Sequence, residues 1–151
     1  MLSHRKYLNR FKTVLNFLSN RNIFQAYPPE VGIELTDHCN LECTMCPHGV
    51  MDRPKGFMEV DFFKKIVDEI REFSEFIFLH GIGESLLHTN LVECINYAGE
   101  KGLTTALSTN ICYLDEKLGR DILESNLNFI TLALDGGTKE TYESIRVKGD
   151  F

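Results

Sequence analysis

Three cysteines, Cys39, Cys43 and Cys46, lie close together in the segment ELTDHCNLECTMCPHG. Thiolates are soft ligands that suit zinc and iron–sulfur clusters. The C-x3-C-x2-C spacing differs from the ferredoxin spacings and from the C-x2-C pairs of zinc fingers and ribbons. A cluster held by three thiolates keeps one iron open to a further ligand. This segment is therefore the first candidate for chemistry in the chain.

The cysteine triplet by itself is compatible with several kinds of structure. Positions i, i+4 and i+7 share one helix face, although Asn40, Pro47 and Gly49 disfavour a continuous helix. A structural zinc site would use the same thiolates with His48 or His38 as fourth ligand. A disulfide framework is disfavoured, because the chain has five cysteines, an odd number, and no secretory signal. The triplet alone thus leaves a cluster and a zinc site as alternatives.

A second candidate is the segment HGIGESLLH, in which Gly81, Gly83 and Glu84 follow an apolar run. Glycines let backbone N–H and C=O groups approach a ligand with no Cβ in the way, and Glu84 adds an anionic acceptor. Glycines also occur in turns that bind nothing, so this segment alone is weak evidence. Asn110 and Asp135 follow two later apolar runs.

The elements that must position these residues repeat in a strand-then-helix order. The predicted strands are 31–35, 76–81, 104–109 and 129–136, and the predicted helices are 59–73, 90–102, 115–125 and 138–146. The strands are near-continuous apolar runs, which is typical of parallel strands covered by helices. The sequence therefore predicts an α/β fold of about four parallel βα units.

Right-handed crossovers would wind these units into an open sheet or a partial barrel. In such folds the chemistry gathers at the carboxyl ends of the strands. The cysteine loop follows the first predicted strand, and the glycine turn, Asn110 and Asp135 each lie at or just after the carboxyl end of a different later strand. We therefore expect all four turns to lie on one rim of the fold.

The amino-terminal segment differs from the rest in charge. The net charge of the chain is −6, and its first 24 residues contribute five cations and no acid, so the remainder carries −11. Within this arm, residues 5–20 have apolar residues at helical spacing: Leu8, Phe11, Leu15 and Leu18. We expect a lead-in helix that packs these residues on the domain with its cations in water; a membrane-surface or targeting helix is the alternative. The predicted division is 1–29 for the lead-in and 30–151 for the core.

The composition excludes several function classes. The chain has 151 residues, enough for one core in a single domain. No apolar run is long enough to span a membrane, and no signal peptide is evident, so we expect a cytoplasmic location. The acidic body disfavours non-specific nucleic-acid binding.

The segments CNLECTMCP and GIGESLLH together resemble the radical S-adenosylmethionine (radical SAM) superfamily. The resemblance covers roughly residues 30 to 150. It implies a partial barrel of about six βα units, of which this chain has about four, so the chain resembles an amino-terminal fragment with an exposed sheet edge. TMCPHG followed by RPKGFM resembles the branch that often carries a carboxyl-terminal SPASM domain with auxiliary clusters.

The resemblance implies a mechanism. Cys39, Cys43 and Cys46 would hold three irons of a [4Fe–4S] cluster, and S-adenosylmethionine (SAM) would chelate the fourth. The reduced cluster would cleave SAM to methionine and a 5′-deoxyadenosyl radical, which abstracts hydrogen from an unknown substrate. The electron would come from a donor such as flavodoxin or ferredoxin. The alternative is a non-catalytic zinc-binding or interaction module that uses the same loop.

The resemblance also implies SAM-binding residues. Gly81, Gly83 and Glu84 would hold the methionyl amino group, Met45 would lie near the adenine, and Asn110 belongs to a turn that resembles the family's Thr-Asn-Gly motif. The chain departs from the family pattern at three places, where it has Ser for Pro, Ile for Gly and Ala for Ser: Ser85, Ile111 and Ala133.

Overall fold

The computed structural model describes residues 3–19 and 26–151. Its helices are α1 (His4–Leu18), α2 (Val60–Ile70), α3 (Leu91–Glu100), α4 (Glu116–Leu123) and α5 (Lys139–Ile145), and its strands are β1 (Glu30–Gly32), β2 (Phe76–Phe78), β3 (Thr104–Thr109) and β4 (Phe129–Leu132). Two short 3-10 turns lie at Pro47–Val50 and Ser85–Leu87. Ser3, Asp115 and Thr138 cap the amino ends of α1, α4 and α5 through their side-chain oxygens.

The four strands form one parallel sheet in the order β1-β2-β3-β4. Each strand pairs with the next strand in the chain, and a helix lies between each pair in sequence, so the elements form successive parallel βα units. The predicted α/β fold of about four parallel βα units is thereby confirmed. The core lies between the sheet and the helices, and its fully buried side chains include Leu35, Phe63, Val67, Ile77, Leu79, Leu91, Ile95 and Leu107.

The strands match the predictions to different degrees. β3 has the predicted bounds, whereas β1, β2 and β4 are shorter than the predicted runs. Single hydrogen bonds continue the pairing past the strand ends: Leu79 N donates to Ala106 O at 2.8 Å, and Ala133 N donates to Thr109 O at 2.9 Å. The chain then turns into the loops that carry the candidate site, which shortens the regular strands.

Gly102 ends the segment after α3, as its position in the sequence indicates. It has φ +78°, in the left-handed region that glycine adopts without steric cost. Leu103 N then donates to Ala98 O at 3.1 Å, which closes the helix end and directs the chain into β3.

β4 corrects one expectation, that all four strands are covered. Every residue of β4 is exposed, and Phe129 is 59% exposed. The physical reason is its position at the edge of the sheet, where it pairs only with β3. An exposed parallel edge agrees with the expectation drawn from a sheet of four units.

The predicted orientation of α1 is wrong. Leu8, Phe11, Leu15 and Leu18, expected to face the domain, are 46 to 72% exposed. The helix instead buries Lys6, Asn9 and Asn16. Residue 20 and Arg21, included in the predicted basic arm, lie outside the described residues.

The reversed orientation of α1 is explained by the polar backbone and side-chain groups of the surface on which it packs. Lys6 Nζ donates to Gly102 O at 3.0 Å, just before β3. Asn9 Nδ2 donates to Tyr27 O at 2.9 Å, and Asn9 Oδ1 accepts from Tyr27 N at 2.9 Å. Backbone carbonyls and a carboxylate near the amino ends of the strands require donors, so the polar face of α1 docks there. Burial lowers the pKa of Lys6.

Arg10 makes the strongest ionic contact of α1, and its substitution should lower the stability of the protein. Its Nε and Nη2 donate to the two carboxylate oxygens of Glu75 at 2.5 and 2.6 Å, and the Glu75 side chain is 6% exposed. In Arg10→Ala this carboxylate stays buried without its partner, so we expect the free energy of unfolding to fall by about 1–3 kcal/mol. Urea denaturation followed by circular dichroism measures the change.

Lys117→Ala is the control for Arg10→Ala. Lys117 pairs with Asp121 on the exposed surface of α4, where an ion pair contributes at most about 1 kcal/mol. Equal effects of the two substitutions would show that the buried carboxylate does not depend on Arg10.

In the ranges 3–19 and 26–151, no helix combines the length and apolar character needed to cross a membrane.

Candidate cofactor site at the carboxyl ends of the strands

One cavity of about 260 Å³ lies at the carboxyl ends of the strands. All eight residues predicted from the sequence line it: Cys39, Cys43, Met45, Cys46, Gly81, Gly83, Glu84 and Asn110. They come from three loops that are separate in the sequence, after β1, β2 and β3. The structure thus brings the predicted set together, as expected for turns on one rim of a parallel sheet.

The cysteine loop presents three free thiols to this cavity. Cys43 is buried, and Cys39 and Cys46 are partly buried. Cys46 N donates to Cys43 O at 2.9 Å, which closes a tight turn between these two cysteines. Burial raises the pKa of the Cys39 thiol, and the neighbouring Glu84 carboxylate adds to the effect.

The two histidines that could complete a zinc site make other contacts, although, as far as the structure describes the chain, His48 Nδ1 is buried without a hydrogen-bond partner. His48 Nε2 lies 3.0 Å from Asp37 O and 3.0 Å from Lys55 Nζ. The ring of His38 stacks on Phe57 with centroids 4.6 Å apart. Among the residues that the structure describes, no three His, Cys, Asp or Glu side chains converge as ligands of a single ion.

Glu84 links the glycine turn to the end of β3. It is 4% exposed, and its Oε1 accepts from Leu86 N at 3.0 Å and from Thr109 Oγ1 at 2.8 Å. Its Oε2 accepts from Asn110 N at 2.8 Å. The carboxylate therefore joins the loop after β2 to the loop after β3, and its Oε2 can accept a further hydrogen bond.

The hydrogen bond from the Thr109 hydroxyl to Glu84 should contribute measurably to the stability of the protein. Thr109 is 2% exposed, so Thr109→Val leaves the Glu84 oxygen with one donor fewer in a buried place. We expect the free energy of unfolding to fall by about 1–3 kcal/mol. Thr131→Val, at an exposed position of β4, is the control. Chemical denaturation compares them, and a Thr109→Val protein as stable as the control would contradict the coupling.

The two glycines allow backbone segments to approach each other. A Cβ on Gly83 would collide with the backbone oxygen of Thr36, and one on Gly81 would lie 2.5 Å from Glu34 Oε1. Because these two residues have no Cβ, the glycine turn can pack against the segment that follows β1. Their predicted contact with SAM stays a prediction.

Glu34 is a site residue that the sequence reasoning missed. Its Oε1 accepts from Ile82 N at 2.6 Å and from Gly83 N at 3.3 Å, and its Oε2 pairs with Arg53 at 2.5 Å. Arg53 Nε also lies 3.0 Å from Asp37 Oδ2. A carboxylate inside the apolar run IEL, near the end of the first strand, was the available signal.

The structure accounts for two departures from the family pattern. Ser85 donates its hydroxyl to Leu79 O at 2.6 Å and is 1% exposed, so a hydrogen bond closes this turn. Ile111 has φ +62°, the left-handed backbone that a glycine would adopt without strain. The structure therefore retains the turn after β3 at a conformational cost.

Two further cysteines lie outside the cysteine loop. Cys94 lies in the core, and burial raises the pKa of its thiol to about 11. Cys112 is exposed and its sulfur lies 3.7 Å from Tyr142 Oη. His80 lines the cavity, and burial lowers its pKa, which favours a neutral ring. Ala133 lines the cavity without a hydroxyl.

Arg146 is the second residue that the sequence reasoning missed. It lines the cavity from the end of α5, and its Nη1 donates to Cys43 Sγ at 3.3 Å. Nothing in the segment TKETYESIR marked this arginine, because it is 103 residues away from Cys43 in sequence. Only the fold reveals the contact.

Fold and site define an α/β protein in which a three-thiol loop and a glycine turn follow neighbouring parallel strands and share one cavity. The family model described as "Radical SAM superfamily" matches residues 33–151, so the chain belongs to the radical SAM superfamily. This is a family of enzymes, and members use a [4Fe–4S] cluster and SAM.

Curated relatives support the assignment. The chain is 29% identical over 105 residues to a tungsten-containing aldehyde ferredoxin oxidoreductase cofactor-modifying protein of Pyrococcus furiosus, covering 68% of this chain and 30% of that protein. It is 30% identical over 125 residues to an Fe-coproporphyrin III synthase of Methanosarcina barkeri, covering 82% and 31%. The chain therefore spans about a third of the length of these relatives.

A solved structure has the same fold. The crystal structure of Streptococcus suis SuiB bound to S-adenosylmethionine superimposes with a TM-score of 0.72 at 17% identity, over 96% of this chain and 34% of that one. At this identity the likeness concerns the fold.

Proposed function

We propose that this chain is the core of a radical SAM enzyme that holds a [4Fe–4S] cluster on Cys39, Cys43 and Cys46 and SAM beside it. The observation that carries the proposal is the shared cavity, which all three thiols and the glycine turn line. When bound, the cluster and SAM would supply radical chemistry for hydrogen abstraction from a substrate. The fold's part is to position the two groups and exclude water.

The three thiols suit a cluster because they line one cavity. Thiolates are the usual ligands of iron–sulfur clusters, and in a [4Fe–4S] cluster each thiolate would bind a different iron.

Several residues of this chain suit the proposed binding of SAM. Glu84 keeps acceptor capacity on Oε2 for the methionyl ammonium group. Gly81 and Gly83 place backbone polar groups at the same wall of the cavity. Met45 is 59% exposed at the cavity, which suits packing against an adenine ring. Asn110 Nδ2 donates to Asn40 Oδ1 at 2.9 Å, which fixes the rim beside the cysteine loop.

The substrate class and the partners are also proposals. Relatives carry names such as PqqA peptide cyclase and Fe-coproporphyrin III synthase, so we infer a peptide or small-molecule substrate. The electron would come from flavodoxin or ferredoxin. Five free cysteines in the structure suit a reducing compartment such as the cytoplasm.

Anaerobic reconstitution with iron and sulfide tests the proposed function. Electron paramagnetic resonance (EPR) of the dithionite-reduced protein is recorded with and without SAM. We expect a [4Fe–4S] signal that shifts when SAM is added. A signal that ignores SAM would overturn the SAM site, and zinc without cluster would overturn the cluster and favour a zinc-binding module.

A further inference from the structure

The segment after α5 is bound to the cysteine loop on both sides of Cys43. Glu42 N donates to Val147 O at 2.9 Å, and Thr44 N donates to Ile145 O at 3.0 Å. These two hydrogen bonds join residues that directly flank Cys43 to residues that directly flank Arg146. The backbone therefore fixes Arg146 opposite Cys43.

The guanidinium of Arg146 connects this thiol to an acid. Nη1 donates to Cys43 Sγ at 3.3 Å, and Nη2 pairs with Asp135 Oδ2 at 2.5 Å. The Arg146 side chain is 14% exposed, so its charge is poorly screened by water. Asp135 follows β4 and adopts φ +55°, in the left-handed region that Asp enters more readily than most residues.

We propose that Arg146 is a positioning residue that sets the reduction potential of the cluster through its hydrogen bond to Cys43. This inference rests on the proposed function. One-electron reduction adds negative charge to the cluster, part of which resides on the thiolate sulfurs. A cationic N–H donor on one sulfur stabilises that charge and raises the potential, because hydrogen bonds to the ligating sulfurs and local charge tune such clusters. Asp135 opposes part of this effect.

The alternative is that Arg146 only holds the loop in place, and the chain provides a control for it. Lys148, two residues further on, pairs with Glu42 Oε1 at 2.5 Å. That contact joins the same two segments, but Lys148 has no contact with a cysteine sulfur in the described part of the chain. Loss of Lys148 should weaken the contact between the cysteine loop and the segment after α5 without removing a hydrogen-bond donor from the sulfur of Cys43.

The experiment is an EPR-monitored redox titration of reconstituted wild-type protein and of the variants Arg146→Met, Asp135→Asn and Lys148→Met, with iron content measured for each. At a fixed potential we expect the ratio of reduced to oxidised cluster to fall about tenfold in Arg146→Met, a shift of about 59 mV for one electron. Asp135→Asn should shift the ratio the other way, and asparagine tolerates the left-handed backbone. Lys148→Met should match wild type.

Each outcome has a distinct meaning. A wild-type protein that assembles no cluster overturns the proposed function itself. A wild-type cluster whose potential is the same in Arg146→Met, or shifts equally in Lys148→Met, overturns only the role of Arg146. Where Arg146→Met holds no iron, Asp135→Asn decides: an increase in the reduced fraction supports the proposal, and no change or a decrease overturns it.

Discussion

A Cys43→Ala protein is expected to assemble no stable iron–sulfur cluster. Cys43 is 8% exposed at the cavity and accepts a hydrogen bond from Arg146, so neither water nor another side chain readily replaces its sulfur. One iron would lack its thiolate, and the arginine would lack its acceptor. Iron and acid-labile sulfide per protein after anaerobic reconstitution should fall to background, together with the absorbance of the cluster.

Cys112→Ser is the matched control for Cys43→Ala. Cys112 is exposed and does not line the cavity, so its loss should leave the iron content unchanged. Comparing the two variants separates the effect of losing any thiol from the effect of losing the thiol that lines the cavity. An iron-to-protein ratio in Cys43→Ala equal to that of wild type would refute the ligand assignment.

The sheet was predictable because its signals are local. The segment TTALST, which lies between Gly102 and Asn110, was predicted as a strand and is β3 at the observed bounds, and Gly102 marked the end of the segment after α3. The shared rim followed from topology alone, since carboxyl ends of parallel strands meet at one edge. The eight predicted residues accordingly line one cavity.

The orientation of α1 was not predictable from its own pattern. Periodicity reports which face of a helix is apolar, but docking depends on the surface that receives it. Here that surface presents Gly102 O and the carboxylate of Glu75, and burying these without donors would cost more than exposing Leu15. Only the tertiary structure contains this information.

The contacts that organise the site were missed for a related reason. Glu34 and Arg146 bind residues 48 and 103 positions away in the sequence, and a single sequence carries no periodic signal for such pairs. Motif resemblance identified groups that line the cavity, because these are specified by residue type and spacing. The residues that hold those groups in place are specified by geometry.

A Gly83→Ala substitution is expected to lower the free energy of unfolding by about 3 kcal/mol, since overpacking against fixed backbone is among the costly single changes. The added Cβ would collide with Thr36 O. Thr36 cannot yield easily, because its Oγ1 donates to Gly56 O at 2.8 Å and accepts from His38 N at 3.0 Å. Thermal and urea unfolding measure the loss.

Alanine substitutions at two further glycines provide a scale for the stability change in Gly83→Ala. A Cβ on Gly137 meets nothing within 4 Å, so Gly137→Ala should change the stability by at most about 1 kcal/mol and can raise it by restricting the unfolded chain. Gly81→Ala should fall between the two, because its Cβ meets the flexible side chain of Glu34 instead of backbone. Equal stability of Gly83→Ala and Gly137→Ala would mean that the glycine turn can move away from the segment after β1. The rigid rim on which the proposed cofactor geometry depends would then be absent.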